Sequence, residues 1–89
     1  MRSLRTTKQF ERDQRRVKRR GKNLDKLWAL VDLLLRDDPL PERCRRHRLP
    51  GQWNRFWECH IEPDWLLIWD ETVEMLTLVR TGTHADLFE

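Results

Sequence analysis

Three histidines, His47, His60 and His84, are the side chains of this 89-residue sequence best suited to moving protons near neutral pH. Asp64 follows His60 across Pro63, and arginine is dense around His47, in "RCRRHR" at 43–48. Imidazoles beside a carboxylate and several guanidiniums suit acid–base cleavage of RNA. A base takes the proton of a ribose 2′-OH, the oxyanion attacks the adjacent phosphorus, and an acid protonates the leaving 5′-oxygen. Arginines such as Arg46, Arg48 and Arg80 would bind the phosphate and offset the charge that grows on its oxygens. Trp65 and Phe88 are candidates to stack on splayed bases. Each residue also has a plain structural role open to it. A histidine at a strand end can simply be hydrogen-bonded, Asp64 can form a turn, Trp65 can fill the core, and Phe88 can pin the chain end.

A metal site is the rival use of the same residues. Cys44 and His47 have C-x-x-H spacing, and Cys59 and His60 are adjacent. No second C-x-x-C or H-x-x-H pair completes a zinc signature, so no metal is expected. No phosphate-binding glycine loop, dinucleotide fingerprint or nucleophile elbow occurs either, so no cofactor is expected. The first residues are charged and no apolar run approaches the roughly 20 residues of a membrane span. Two free thiols in a cytoplasmic protein without membrane contact is the reading that follows.

The net charge of +3 hides an asymmetry. Residues 1–22 hold ten Lys/Arg against two acids, whereas residues 56–89 hold one arginine against eight acids. With the 43–48 block, this suits a polyanion partner, of which nucleic acid is the commonest, or else a solvated helix face.

These residues need a scaffold, and 89 residues make one domain, 1–89. Residues 2–6 have the makings of a short edge strand. Residues 8–20 read as a basic helix with Phe10 and Val17 on one face, stopped by Gly21. Asn23 is an N-cap for a second helix over 24–38, whose Leu24, Leu27, Trp28, Val31, Leu34 and Leu35 make a wide apolar stripe. Residues 52–61, 65–69 and 73–81 then read as an antiparallel meander, with turns at 62–64 and 70–72. Helices followed by strands predict an α+β fold, with the helices on one face of the sheet. In such a meander the end of the first strand, the first turn and the end of the third strand share one rim. His60, Asp64 and His84 are thereby expected together.

At "HIEPDWLLIW" and "RTGTHADLF", with "RHRLPGQW" before them, the chain resembles the YafQ-type toxins of bacterial type II toxin–antitoxin systems, within the RelE superfamily of ribosome-dependent mRNA endonucleases. The three motifs occur in order and the resemblance spans nearly the whole chain. It implies a RelE-like (microbial RNase-like) fold with helices against an antiparallel sheet of about four strands. It implies cleavage of mRNA in the A site of the small ribosomal subunit, with contacts to ribosomal RNA, and neutralisation by a cognate antitoxin. Carried over by motif, the functional histidines fall on His47, His60 and His84, the aspartate on Asp64, and the aromatic positions on Trp65 and Phe88. The preferred assignment has His84 as acid, His60 or Asp64 as base, and His47 on the phosphate or sharing the proton. The alternative is a non-catalytic module that blocks translation by occupying the ribosome, in which the arginines matter and the histidines do not. Pro50, Trp57 and the extra arginines depart from the motifs without removing any of these residues.

Overall fold

The computed structural model describes residues 1–88. A short strand, β1 (Ser3–Thr6), leads into two helices, α1 (Lys8–Arg19) and α2 (Leu24–Leu35). Strands β2 (His47–Arg48), β3 (Trp57–Glu62), β4 (Trp65–Glu71) and β5 (Met75–Gly82) follow, and a one-turn helix, α3 (His84–Phe88), comes last.

Both long helices begin at a side-chain cap. Thr7 Oγ1 accepts from the Phe10 N–H at 3.0 Å, and Asn23 Oδ1 accepts from the Asp25 N–H at 3.0 Å. Both end in a residue with positive φ that lets trailing N–H groups turn back onto the last carbonyls: Gly21 (φ 88°) after α1 and Asp37 (φ 57°) after α2. The second of these ends α2 at Leu35, earlier than the residue 38 expected from the apolar stripe. Asp37 and Asp38 donate back to the carbonyls of Leu34 and Leu33 instead of continuing the helix.

The sheet has five strands in the order β1-β5-β4-β3-β2. β2 through β5 are antiparallel neighbours, while β1 lies parallel to β5. The sheet is therefore mixed, with five strands where an antiparallel sheet of about four was expected. Strand direction at an edge depends on where the chain returns, which alternation of residue types does not encode. The first meander strand also starts later than expected, at Trp57, because Gly51–Trp53 forms a 3₁₀ turn, with Gly51 at φ 66°.

α1 and α2 cover one face. Phe10, Val17, Leu27, Leu30, Val31 and Leu34 pack there against Cys59, Ile61, Trp65, Leu67, Trp69, Leu76 and Leu78. The side-chain period of two sends Glu58 and His60 of β3 to the opposite face. Register places Leu66 opposite His60 and Gly82, and Ile68 opposite Glu58 and Arg80. That open face carries the site.

A half-buried ion network ties α1 to the end of the sheet. Asp13, with a fully buried side chain, accepts from Arg80 Nε (2.6 Å), Arg16 Nη2 (2.8 Å) and the Thr81 N–H (3.2 Å). The helix-period reading of α1 gave its polar positions to solvent, and Asp13 is the exception.

Candidate active site

The open face holds the histidines in a row. The ring centroids of His47 and His60 are 6.5 Å apart, and those of His60 and His84 are 5.9 Å apart. A different element supplies each ring. His47 sits on β2, paired with Glu58. His60 sits near the end of β3, beside a bulge at Ile61 that precedes the two-residue Pro63–Asp64 turn. His84 opens α3.

α3 is held by a reciprocal cap. Thr83 Oγ1 accepts from the Asp86 N–H (3.1 Å), and Asp86 Oδ2 accepts from the Thr83 N–H (2.9 Å). The same carboxylate accepts from Arg20 through Nη1 (2.6 Å) and Nη2 (3.1 Å), which fastens α3 to α1. The Arg20 guanidinium, the Thr83 N–H and nearby Arg16 hold the Asp86 carboxyl far below the usual carboxylate range. Gly82 makes room for this contact, since a Cβ there would lie 2.8 Å from Asp86 Oδ2.

Asp64 reaches α3 from the turn. Its Oδ1 accepts from the His84 N–H at 3.0 Å and lies 2.6 Å from His84 Nδ1. The backbone N–H, then the ring, depress the Asp64 carboxyl below its ordinary value. Nδ1 is thus the protonated nitrogen, and Nε2 of His84 points away from the carboxylate. His60 Nδ1 faces the Pro63 carbonyl oxygen at 3.3 Å, an acceptor only, so its proton also belongs on Nδ1. His47 is flanked by acceptors on both sides, with the Arg45 carbonyl oxygen 2.7 Å from Nδ1 and Glu58 Oε1 3.2 Å from Nε2. The His47–Glu58 contact therefore carries a proton on one partner or the other.

The aromatic and arginine candidates divide. Phe88 is 54% exposed and, with Trp53 (56% exposed), Phe56, Leu49, Leu87 and Arg80, lines an apolar hollow of about 260 Å³ on the open face. Trp65 is not a base platform. It is 1% exposed and buried beneath the helices, and its indole N–H donates to Thr81 Oγ1 at 2.9 Å. Position 65 falls on the helix side of β4, as the alternation from Leu66 requires. Arg80 stands at the hollow with its guanidinium braced by Asp13. Arg46 turns inward instead. It pairs with Glu71 at 2.9 Å and lies 4.5 Å over Trp57, which places it away from the histidines. Arg48 also lies over Trp57 (4.8 Å) and donates to the Asn54 carbonyl at 3.1 Å.

Sequence reasoning missed Glu58, Asp13, Asp86 and Trp53. Asp86 had a local signal, the Thr-x-x-Asp spacing of a capping box at 83–86, and Trp53 closes the "RHRLPGQW" motif, whereas Glu58 and Asp13 had none. No group of three or more His, Cys, Asp or Glu among the described residues is arranged to hold a metal ion. Both cysteines are buried and free, and burial, with Cys44 and Glu58 nearby, pushes the Cys59 thiol up to about 12. No helix among the described residues is long and apolar enough to cross a membrane.

The architecture is thus a helix pair on a small mixed sheet, with a histidine row on the other face and a short final helix beside it. Residues 2–89 match the family model described as the bacterial toxin of type II toxin–antitoxin systems, YafQ. The chain belongs to the YafQ family. It is 41% identical over 81 residues to the mRNA interferase toxin YafQ of Escherichia coli K12, covering 90% of this chain and 88% of the relative. It superposes on the crystal structure of YafQ from E. coli BL21(DE3) with a TM-score of 0.93 at 37% identity, covering all of both chains. It also superposes on YafQ in the E. coli DinJ–YafQ toxin–antitoxin complex with a TM-score of 0.92 at 38% identity, covering 99% of this chain and 98% of the other.

Proposed function

We propose that this chain is an endoribonuclease of the mRNA-interferase type, cutting mRNA in the ribosomal A site in the cytoplasm and silenced by a cognate antitoxin. The observation that carries the proposal is the placement of His60 and His84 side by side, each with Nδ1 engaged by a fixed acceptor and Nε2 left for substrate.

His60 is the base. Its Nε2 lone pair takes the 2′-OH proton, and the 2′-oxygen attacks the phosphorus. The P–O5′ bond breaks, leaving a 2′,3′-cyclic phosphate. His84 is the acid in its doubly protonated form: Nδ1–H stays on Asp64, and Nε2–H gives its proton to the departing 5′-oxygen. Asp64 is bonded to His84, which suits it to orienting and charge-balancing that ring rather than to serving as the free base. Arg80, braced by Asp13, binds the phosphate oxygens as charge accumulates, and His47, held between Glu58 and the Arg45 carbonyl, flanks His60 in the row. Phe88 and Trp53 offer exposed rings for a flanking base.

Lys8, Arg12, Arg15, Lys18 and Arg19 of α1 are exposed and make no ion pair among the described residues, which suits docking on ribosomal RNA. The relative's complex with DinJ supports an antitoxin as the second partner. No observation favours occupancy without cleavage over this reading. The test is induction of the wild-type chain and His84→Ala in bacteria lacking the antitoxin, with growth followed and mRNA 5′ ends mapped. In-frame cuts and growth arrest, both lost in the variant, are expected. Arrest that persists in His84→Ala without cuts would replace this proposal with the occupancy module.

A further inference from the structure

The arginine block 43–48 looks uniform as a sequence, but the fold sorts it into two sets. Arg46 and Arg48 lie against Trp57, and Arg46 is paired with Glu71. Arg43 and Arg45 are exposed, and their guanidiniums have no hydrogen-bond or ion-pair partner among the described residues. The 3₁₀ turn Glu42–Cys44 does the sorting. Cys44 is buried in the core, so its neighbours Arg43 and Arg45 face outward. Arg45 closes the turn at φ 53°, a left-handed conformation unusual for a residue with a Cβ. Its N–H is tied to the Glu42 carbonyl, and its own carbonyl faces His47.

Arg43 and Arg45 line a hollow of about 390 Å³ with His60, Ile61, Glu62 and Pro63. His60 is a wall of this hollow and also the middle member of the histidine row. Glu62 is the one carboxylate on the lining, and it is already occupied. Lys22 Nζ lies 2.6 Å from one of its oxygens and Lys26 Nζ 2.9 Å from the other. Two free guanidiniums beside a neutralised carboxylate make a cationic hollow one ring away from the proposed scissile position.

We propose that Arg43 and Arg45 form a second phosphate subsite, which holds the backbone phosphate adjacent to the scissile one on the RNA strand being cut. The subsite rests on the nuclease reading and extends it. The strand would run from this hollow, past His60 and His84, toward the apolar hollow that holds Phe88. Each guanidinium presents a planar fork of donors, which suits a phosphate with two unesterified oxygens. Anchoring this neighbour would fix the register of the scissile linkage against His60.

The test is a binding titration with a short 2′-O-methyl RNA, which cannot be cleaved, followed by NMR of the labelled full chain. Wild type, Arg43→Ala/Arg45→Ala and His84→Ala are compared at several salt concentrations, with each linkage of the RNA replaced in turn by an uncharged methylphosphonate. The double variant is expected to bind at least tenfold more weakly. Its slope of log affinity against log salt is expected to be about 1.4 shallower, at about 0.7 per lost contact on a single strand. One methylphosphonate position is expected to weaken wild type and leave the double variant unaffected. Unchanged binding by the double variant would overturn the subsite, and so would equal sensitivity of both proteins at every linkage, which is the mark of diffuse attraction. Dependence on Arg43 and Arg45 for whole ribosomes but not for the oligonucleotide would also overturn it, by moving the contact to ribosomal RNA. The nuclease reading is checked apart from this, by mRNA cutting with wild type and His84→Ala. The two readings can therefore fail separately. A melting temperature for the double variant equal to wild type excludes misfolding.

Discussion

Replacing Asp13 is the perturbation whose effect the structure defines most closely. Its side chain is fully buried and accepts from two nitrogens of Arg80, from Arg16 and from the backbone N–H of Thr81, itself buried. In Asp13→Ala the Thr81 N–H loses its acceptor without access to water, which costs about 1–3 kcal/mol. Arg16 and Arg80 keep 32% and 28% exposure, so they recover only part of their hydration by swinging outward. Breaking a buried pair from one side typically costs about 3–5 kcal/mol, and that range is the expectation here. A chain of this length has a total stability of roughly 4–13 kcal/mol. The loss is therefore a large part of the whole, and a fall in Tm of at least about 12 °C is expected at about 4–8 °C per kcal/mol. Asp13→Asn retains one carbonyl acceptor for the Thr81 N–H and is expected to lie between wild type and Asp13→Ala. Arg80→Ala leaves the Thr81 contact intact and is expected to cost less than Asp13→Ala. Circular-dichroism melts and urea titrations at neutral pH read this order. A loss below about 1 kcal/mol in Asp13→Ala would refute the argument that this carboxylate clamps α1 to β5.

Asp86 makes stability pH-dependent. Its carboxyl is depressed in the fold, chiefly by Arg20, so it contributes fully above the unfolded carboxylate value of about 3.9. That contribution is lost as pH falls from there toward the folded value. Asp86→Asn is expected to be less stable than wild type at neutral pH and to converge on it in acid melts below about pH 4. Trp65→Phe keeps most of the core volume and loses the hydrogen bond to Thr81, so a destabilisation of about 1–3 kcal/mol is expected by urea titration. RNA cutting per folded molecule is expected to persist; its loss with an unchanged melt would restore Trp65 as a substrate contact. Phe88→Ala is expected to shift stability by less than about 0.5 kcal/mol, because the ring is half exposed. RNA affinity is expected to weaken by roughly 5- to 150-fold, the worth of one base stack at about 1–3 kcal/mol.

The elements that rely on local pattern are legible in the sequence alone. The stripe from Leu24 to Leu35 makes a buried helix face whatever it packs against, and "WLLIW" at 65–69 is apolar on both sides because β4 is central: Trp65, Leu67 and Trp69 face the helices, and Leu66 and Ile68 are buried on the other face between β3 and β5. Chain connectivity was enough to expect His60, Asp64 and His84 at one rim, since a two-residue turn leaves the ends of antiparallel strands few places to go. Local pattern also located the cap at Asn23, where the preference is a matter of one side chain and the next turn, whereas the Thr7 cap of α1 emerged only in the fold. What lay beyond it was every pairing between residues far apart in the chain. Asp13 and Arg80 are 67 positions apart, and helical periodicity can say that Asp13 points somewhere polar but not that a strand brings its partner there. The direction of β1 and the sorting of Arg43 and Arg45 from Arg46 and Arg48 were decided in the same way. A residue type sets what chemistry a position can do. Which neighbour it does it with is set by the packing of helices on a sheet, and that depends on the whole chain at once.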